Sequence, residues 1–307
     1  MGGVLVAFAI IGVAIGVGYL SARFRLVTVE QGPVLNRVAF YIFSPALLFS
    51  VLARTSAEKL ISPVLFVVIA SSLATAVLFF VVSRLFFRRG VAATTLGVTS
   101  STYLNSNNIG LPVSVFVIGD INYFAPLLML QLVVFLPIIL VVLQMSTHKG
   151  SSLIKTLRST ILNPLIVATV LGLVVSLLGL TVPDFILQPM ETLGAAAVPV
   201  LLFSYGVSLF GQRVFHRHGD RPVSITAIVL KSVVMPAIAY VLAEFVLRLS
   251  PHQVFAAVIL ACLPTAQNIF TYASVYKTEV YAVRDVVFFT TLFSLPIMFI
   301  LAALLSA

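Results

Sequence analysis

The sequence predicts an all-α integral membrane protein: ten transmembrane helices, a five-plus-five inverted repeat, with broken helices four and nine crossing at mid-membrane. Three observations lead there. The composition is too apolar for water. Apolar runs of membrane-spanning length recur ten times. Four short motifs return in the same order at nearly one offset.

Of 307 residues, 61% are hydrophobic and 9% are charged, whereas an ordinary soluble domain carries about a quarter charged residues. No soluble core hides that much apolar surface, so lipid is the expected solvent. The formal net charge is +9. It does not point to nucleic acid, because Lys and Arg lie in short groups between apolar runs. The single cysteine, Cys262, excludes an internal disulfide and reads as a small buried hydrophobe. The N-terminal "MGGVLVAFAI" has neither a basic leader nor a clear cleavage site, and reads as a first span rather than a signal peptide.

A span needs about 20 mostly apolar residues. Ten runs qualify: 3–21, 35–53, 62–86, 92–119, 123–145, 161–180, 185–209, 223–247, 253–276 and 285–305. Basic residues collect in cytoplasmic loops. With the N-terminus outside, the inner loops hold fourteen: Arg23, Arg25, Arg37, Arg84, Arg88, Arg89, Lys149, Lys155, Arg158, Arg213, Arg217, Arg221, Lys277 and Arg284. The outer loops hold Arg54, Lys59 and Arg248. The expected location is the inner (cytoplasmic) membrane, with both termini on its non-cytoplasmic side.

The repeat shows first in "SPALLFS" (44–50) and "VPVLLFS" (198–204), which share five of seven residues at an offset of 154. "IGVAIGVGYL" (11–20) parallels "LGLVVSLLGL" (171–180), "NNI" (107–109) parallels "QNI" (267–269), and "FLPII" (135–139) parallels "SLPIM" (294–298). Each copy holds five spans, so the second enters the membrane from the opposite side. The division falls at 1–148 and 149–307. In such folds a substrate site lies near the midplane, where broken helices of the two halves meet.

Span four contains "NSNNIGLP", with Asn105, Asn107 and Asn108, then Gly110 and Pro112. Pro112 lacks an N–H and clashes with the preceding turn, so a helix should kink or break there. Gly110 tolerates strained angles. Backbone groups freed in hydrocarbon need partners from protein or a wet cavity. The Asn amides can serve some and still present donors and acceptors to a ligand. In span nine "LPTAQNIF" supplies Pro264, Gln267 and Asn268. The amides correspond between copies; the prolines do not. Half-helix N-termini aimed at such a crossing favour an anion, such as a carboxylate.

"NSNNIGLPV", "ILNPLIVATVLGLVVSLLGL" (161–180), "TLGAAAVPVLLFSYGVSL" (192–209) and "LPTAQNIFTYASVY" (263–276) together resemble the auxin efflux carrier family, almost from end to end. That family includes plant auxin exporters and bacterial carriers of malonate, malate and similar acids. The resemblance implies crossing helices four and nine, a scaffold of spans 1, 2, 6 and 7, and a moving unit of spans 3–5 and 8–10. It places the family's helix-four Asn at Asn107 or Asn108 and its crossover prolines at Pro112 and Pro264. It also implies a homodimer through the scaffold.

Lys231 falls inside span eight, where a charge is expensive and usually functional. It can attract an anionic substrate, pair with Glu244 or a carbonyl, or snorkel to the interface. Asp184 and Glu191 are expected at the interface, and Asp120 and Asp285 at span ends, solvated or capping. Pro45 and Pro199 read as kinks, and Gly12 and Gly16 as a close helix-packing step. His148, His216, His218 and His252 read as solvated loop residues. No phosphate loop or nucleophile–base set appears in the sequence.

The expected function is secondary active transport of organic acid anions by an elevator-like alternating access, with lipid as surroundings. No enzyme activity, cofactor or nucleic-acid partner is expected. The coupling ion is H⁺ or Na⁺. Two alternatives stay open: a Na⁺-coupled carrier resembling bile acid symporters, with Na⁺ near Asn108 and Gln267, and a non-transporting membrane sensor.

Overall fold

The computed structural model describes residues 2–54, 62–147, 162, 164–211 and 221–305. Lys59, Lys149, Lys155, Arg158, Arg213 and Arg217, with His148, His216 and His218, lie outside the described residues. Among the described residues the chain is helical, and its one β-type pairing is a single isolated bridge.

The helices follow the apolar runs. They are α1 (Gly2–Arg23), α2 (Gly32–Arg54), α3 (Pro63–Phe87), α4 (Val91–Thr102), α5 (106–118), α6 (121–147), α7 (Pro164–Leu177), α8 (Asp184–Leu209), α9 (Arg221–Val246), α10 (Pro251–Ala261), α11 (Gln267–Val275) and α12 (Val280–Leu305). Of these, α2, α3, α8, α9 and α12 are long and apolar enough to cross a membrane. Span four of the sequence is divided into α4 and α5, and span nine into α10 and α11.

Local chemistry sets several boundaries. Ser62 caps α3 by accepting the Val64 N–H, and Pro63 takes the first helical position, where its missing N–H costs nothing. Ser250 and Gln253 form a capping box at the start of α10, again with proline following the cap.

Prolines shape the helix interiors. Pro45, Pro112, Pro137 and Pro236 each follow by two residues a wide turn with hydrogen bonds five residues apart: 39–43, 106–110, 131–135 and 230–234. A proline ring collides with the carbonyl four residues earlier. Widening the preceding turn moves that carbonyl aside and lets the helix continue. This corrects one expectation, since Pro112 does not break its helix. The break lies at Tyr103–Asn105, upstream of the amides.

Packing sorts the helices by neighbour. The second half of α8 lies along α1, and α7 lies along the second half of α2. Elsewhere α3 packs on α4, α9 and α10, α6 on α4, and α12 on α9, α10 and α11. The closest approach of α1 and α8 is at Gly18 and Gly206: a Cβ on Gly18 would strike the Phe203 carbonyl, and one on Gly206 the Ile15 carbonyl. Gly12 and Gly16, the expected packing step, face open space instead. The GxxxG spacing is present, but Gly12 and Gly16 line a cavity between α1, α8 and α12 rather than a close helix contact.

Candidate functional site

The two broken helices meet at their breaks. Leu104 and Thr265 form an antiparallel bridge. Asn105 N–H donates to Pro264 O at 2.7 Å, and Ala266 N–H donates to Tyr103 O at 3.1 Å. Each unwound segment thereby satisfies backbone groups that the other has freed, which an apolar surrounding requires.

Side chains serve the rest. Gln131 of α6 donates its Nε2 to Leu104 O at 3.0 Å and accepts the Ser106 hydroxyl at Oε1. Thr290 of α12 accepts the Thr265 N–H at 3.1 Å. The Thr265 hydroxyl donates to Ser100 O, near the end of α4. Lys231 donates to Ala261 O at 3.3 Å and to Met235 Sδ at 3.2 Å. Ala261 is the last residue of α10, so the ammonium sits at the negative end of that helix.

Amides cluster beside the bridge. Asn105 caps α5, its Oδ1 accepting the Asn108 N–H at 3.3 Å. The Asn105 Nδ2 is buried without a partner among the described residues. Asn108 Nδ2 donates to Gln267 Oε1 at 3.4 Å, and Gln267 Nε2 donates to Ser208 Oγ of α8 at 3.0 Å. Asn105, Asn108, Gln131, Gln267 and Asn268 line a cavity of about 20 Å³, with Phe40 of α2 and Tyr103 also in its wall. That is room for about one water. The first turns of α5 and α11 begin at Ser106 and Gln267, so two positive helix ends adjoin this space. The arrangement offers neutral amide donors and backbone dipoles to a small anion.

The structure thus brings together Asn105, Asn108, Gln267 and Asn268, with Pro264 in the break itself. Gly110 is buried, and a Cβ there would come to 3.1 Å of Leu263 Cδ1, so its use is close approach to the other break. Pro112 lies in the resumed helix α5. Asn107 belongs to the first turn of α5; its side chain lies outside the described residues. Lys231 is not in the cavity wall. Of the alternatives for it, the carbonyl partner is the one observed; Glu244 is exposed.

Four contributors lie outside the sequence reading: Gln131, Ser208, Thr265 and Thr290. Gln131 carried a signal, as the one amide in the apolar run 124–143. The hydroxyls carried none, since Ser and Thr in apolar helices commonly bond their own preceding turn.

One charged residue also differs from expectation. Asp285 is buried, 2% exposed, and paired with Arg284 at 3.3 Å. It is not a solvated span end because α12 starts at Val280, more than a turn earlier. Glu191 is half-exposed and paired with Arg54 at 2.7 Å. Asp120 does cap, accepting the Asn122 N–H at 2.9 Å.

Residues 4–302 match the sequence model of the family described as membrane transport protein. A transporter of Methanocaldococcus jannaschii, described as uncharacterized, is 23% identical over 296 residues, covering 91% of each chain. A Rhizobium meliloti protein named "Putative malonate transporter" is 27% identical over 286 residues, covering 90% of this chain and 88% of its own.

Proposed function

Because the chain belongs to the membrane transport protein family, that of the auxin efflux carriers, we propose that it is a secondary active transporter of organic acid anions working by elevator-like alternating access. One observation carries this reading: Asn108 and Gln267, 3.4 Å apart, stand at the first turns of two half-helices whose breaks are bridged. A carboxylate there would accept amide N–H groups and lie against two positive helix ends. No formal positive charge is needed, so release is not blocked by a tight ion pair. Similarity to the Rhizobium meliloti protein points to short dicarboxylates such as malonate.

The reading includes ten spans in two inverted copies. Six of the eight left-handed residues among the described ones support it, because they recur at the repeat offsets. Arg25 and Gly179 differ by 154, Arg88 and Arg248 by 160, and Gly119 and Glu279 by 160. All but Glu279, which immediately precedes α12, follow helix ends, where such angles are favoured. For the first span the Arg25–Gly179 pair gives a register of 154, in place of the 160 at which 11–20 parallels 171–180, and this also pairs the close-packed Gly18 with Gly172.

In this reading α1, α2, α7 and α8 are the fixed scaffold, and the other helices carry the site. The contacts of α1 with α8 and of α2 with α7 support that division. A cavity the size of one water belongs to a closed state, so loading requires the site helices to part from α2 and α8. The protein sits in the inner membrane with both termini outside the cytoplasm, coupled to an H⁺ or Na⁺ gradient.

Uptake of labelled malonate and longer dicarboxylates into proteoliposomes tests this, with pH and Na⁺ gradients imposed separately. We expect flux that Asn108→Ala and Gln267→Ala each reduce at least tenfold. Undiminished flux in both variants would remove the site from the mechanism. Absence of flux for every acid would favour the sensor alternative.

A further inference from the structure

Two of the amides that would hold a substrate, Asn108 and Gln267, are already engaged. Asn108 Nδ2 donates to Gln267 Oε1 at 3.4 Å, Gln267 Nε2 donates to Ser208 Oγ at 3.0 Å, and Ser208 Oγ donates to Tyr205 O at 2.7 Å. A hydroxyl has one donor and two acceptor positions. Ser208 therefore directs its proton into its own helix and an oxygen lone pair at Gln267.

The ends of this chain of bonds matter. Asn108 and Gln267 belong to the broken helices, whereas Ser208 is one residue from the end of α8. The last bond thus ties the amide cluster to the helix that packs along α1. It also uses one of the two N–H groups of the Gln267 amide, for which a carboxylate would compete.

We propose that Ser208 is a substrate-displaced latch. In the empty protein its hydroxyl holds the Gln267 amide and so fastens the broken helices to α8. A bound carboxylate takes that N–H instead, because an ionised oxygen is the stronger acceptor. Occupancy of the site thereby frees it to move, and an empty site stays fastened. Ser208 is a positioning residue that acts through Gln267. The inference rests on Gln267 being a substrate ligand.

The direction of its effect separates it from a structural role. Ordinary damage to a site weakens binding. Removing a latch strengthens it, since the ligand no longer displaces a hydrogen bond. A net bond of the usual strength corresponds to a gain of about two- to tenfold.

Ser208→Ala, Ser208→Thr and Gln267→Ala, purified in nanodiscs, provide the test with two measurements. The first is hydrogen exchange of residues 264–269 without any ligand. The second is malonate binding by calorimetry. Ser208→Ala should raise exchange in that segment, leave the rest of the chain unchanged, and lower the Kd for malonate. Ser208→Thr, which keeps the hydroxyl, should match the parent protein in both. Unchanged exchange in Ser208→Ala would overturn the latch, as would weakened or unaltered malonate binding. Gln267→Ala tells which idea has failed. If it binds malonate like the parent, the site reading falls. If it loses binding while Ser208→Ala is unaltered, only the latch falls. If the parent binds no malonate, the exchange measurement alone decides.

Discussion

Gln131 and Thr290 serve opposite sides of one junction. Gln131 gives an N–H to Leu104 O, Thr290 takes the N–H of Thr265, and Leu104 and Thr265 are bridge partners. The two are 159 residues apart, the same separation as "FLPII" and "SLPIM" on their helices. In the repeat we propose, each copy would bring its last helix to support its own break, one with an amide and one with a hydroxyl.

Gln131→Leu should leave the Leu104 carbonyl and the Ser106 hydroxyl without their partner, and Thr290→Val should strand the Thr265 N–H. Buried groups left this way cost about 1–3 kcal/mol each. Because both act on one bridge, the double variant should depart from additivity. Equilibrium unfolding in mixed micelles would measure all three. Strict additivity would mean that the two supports do not share a junction.

Gly206→Leu should prevent folding, because its side chain would enter the Ile15 carbonyl on α1, and Gly18→Leu should do the same against Phe203. Backbone cannot retreat as a flexible side chain can. Gly12→Ala, in the motif the sequence favoured, should change stability by no more than about 0.5 kcal/mol. Expression and size-exclusion profiles would rank the three. Intolerance at Gly12 comparable to that at Gly206 would contradict the packing.

Lys231 lies at the end of α10 and outside the cavity wall, so its substitutions should act on stability before binding. Lys231→Glu would set a carboxylate against the Ala261 carbonyl at a negative helix end, in a buried place. That combination should abolish folding. Lys231→Met keeps the bulk and loses the cap, at about 1–3 kcal/mol. Thermal stability and malonate binding, measured together on Lys231→Met, would separate the roles. A variant of undiminished stability that no longer binds would place Lys231 at the ligand instead.

Much of the helical framework was legible because a helix in lipid must be long, apolar and self-bonded, and each of those requirements leaves a mark in the sequence. The amides Asn105, Asn108 and Gln267 stood out for the same reason: apolar surroundings make a carboxamide conspicuous. The site of the break was misread because Pro112 was taken to act at its own position. Its effect is absorbed by the wide turn 106–110, while the chain unwinds at Tyr103–Asn105, where no proline stands. What holds that segment open is a bridge to Thr265, a pairing across 161 residues that local propensity cannot encode. Gly18 was hidden by a similar limit, since a glycine's use depends on which backbone lies opposite.

Asn105 offers a test in which stability and binding move apart. Its Oδ1 caps α5, and its Nδ2 is buried with no partner among the described residues. The cap stabilises by about 0.5–2 kcal/mol, whereas an unmet buried donor costs about 1–3 kcal/mol. Asn105→Ser keeps a capping oxygen and deletes the idle N–H group, so the empty protein should be as stable as the parent or more so. Asn105→Ala deletes both. It should fall below the serine variant by about the value of the cap. Malonate should bind more weakly to each, because the unmet donor beside the cavity is what a carboxylate would use. Such a divergence is what a group retained for binding at the expense of stability produces. Unfolding and calorimetric titration on the same two variants would show it. If Asn105→Ser lost stability and kept full affinity, Asn105 would be a capping residue alone.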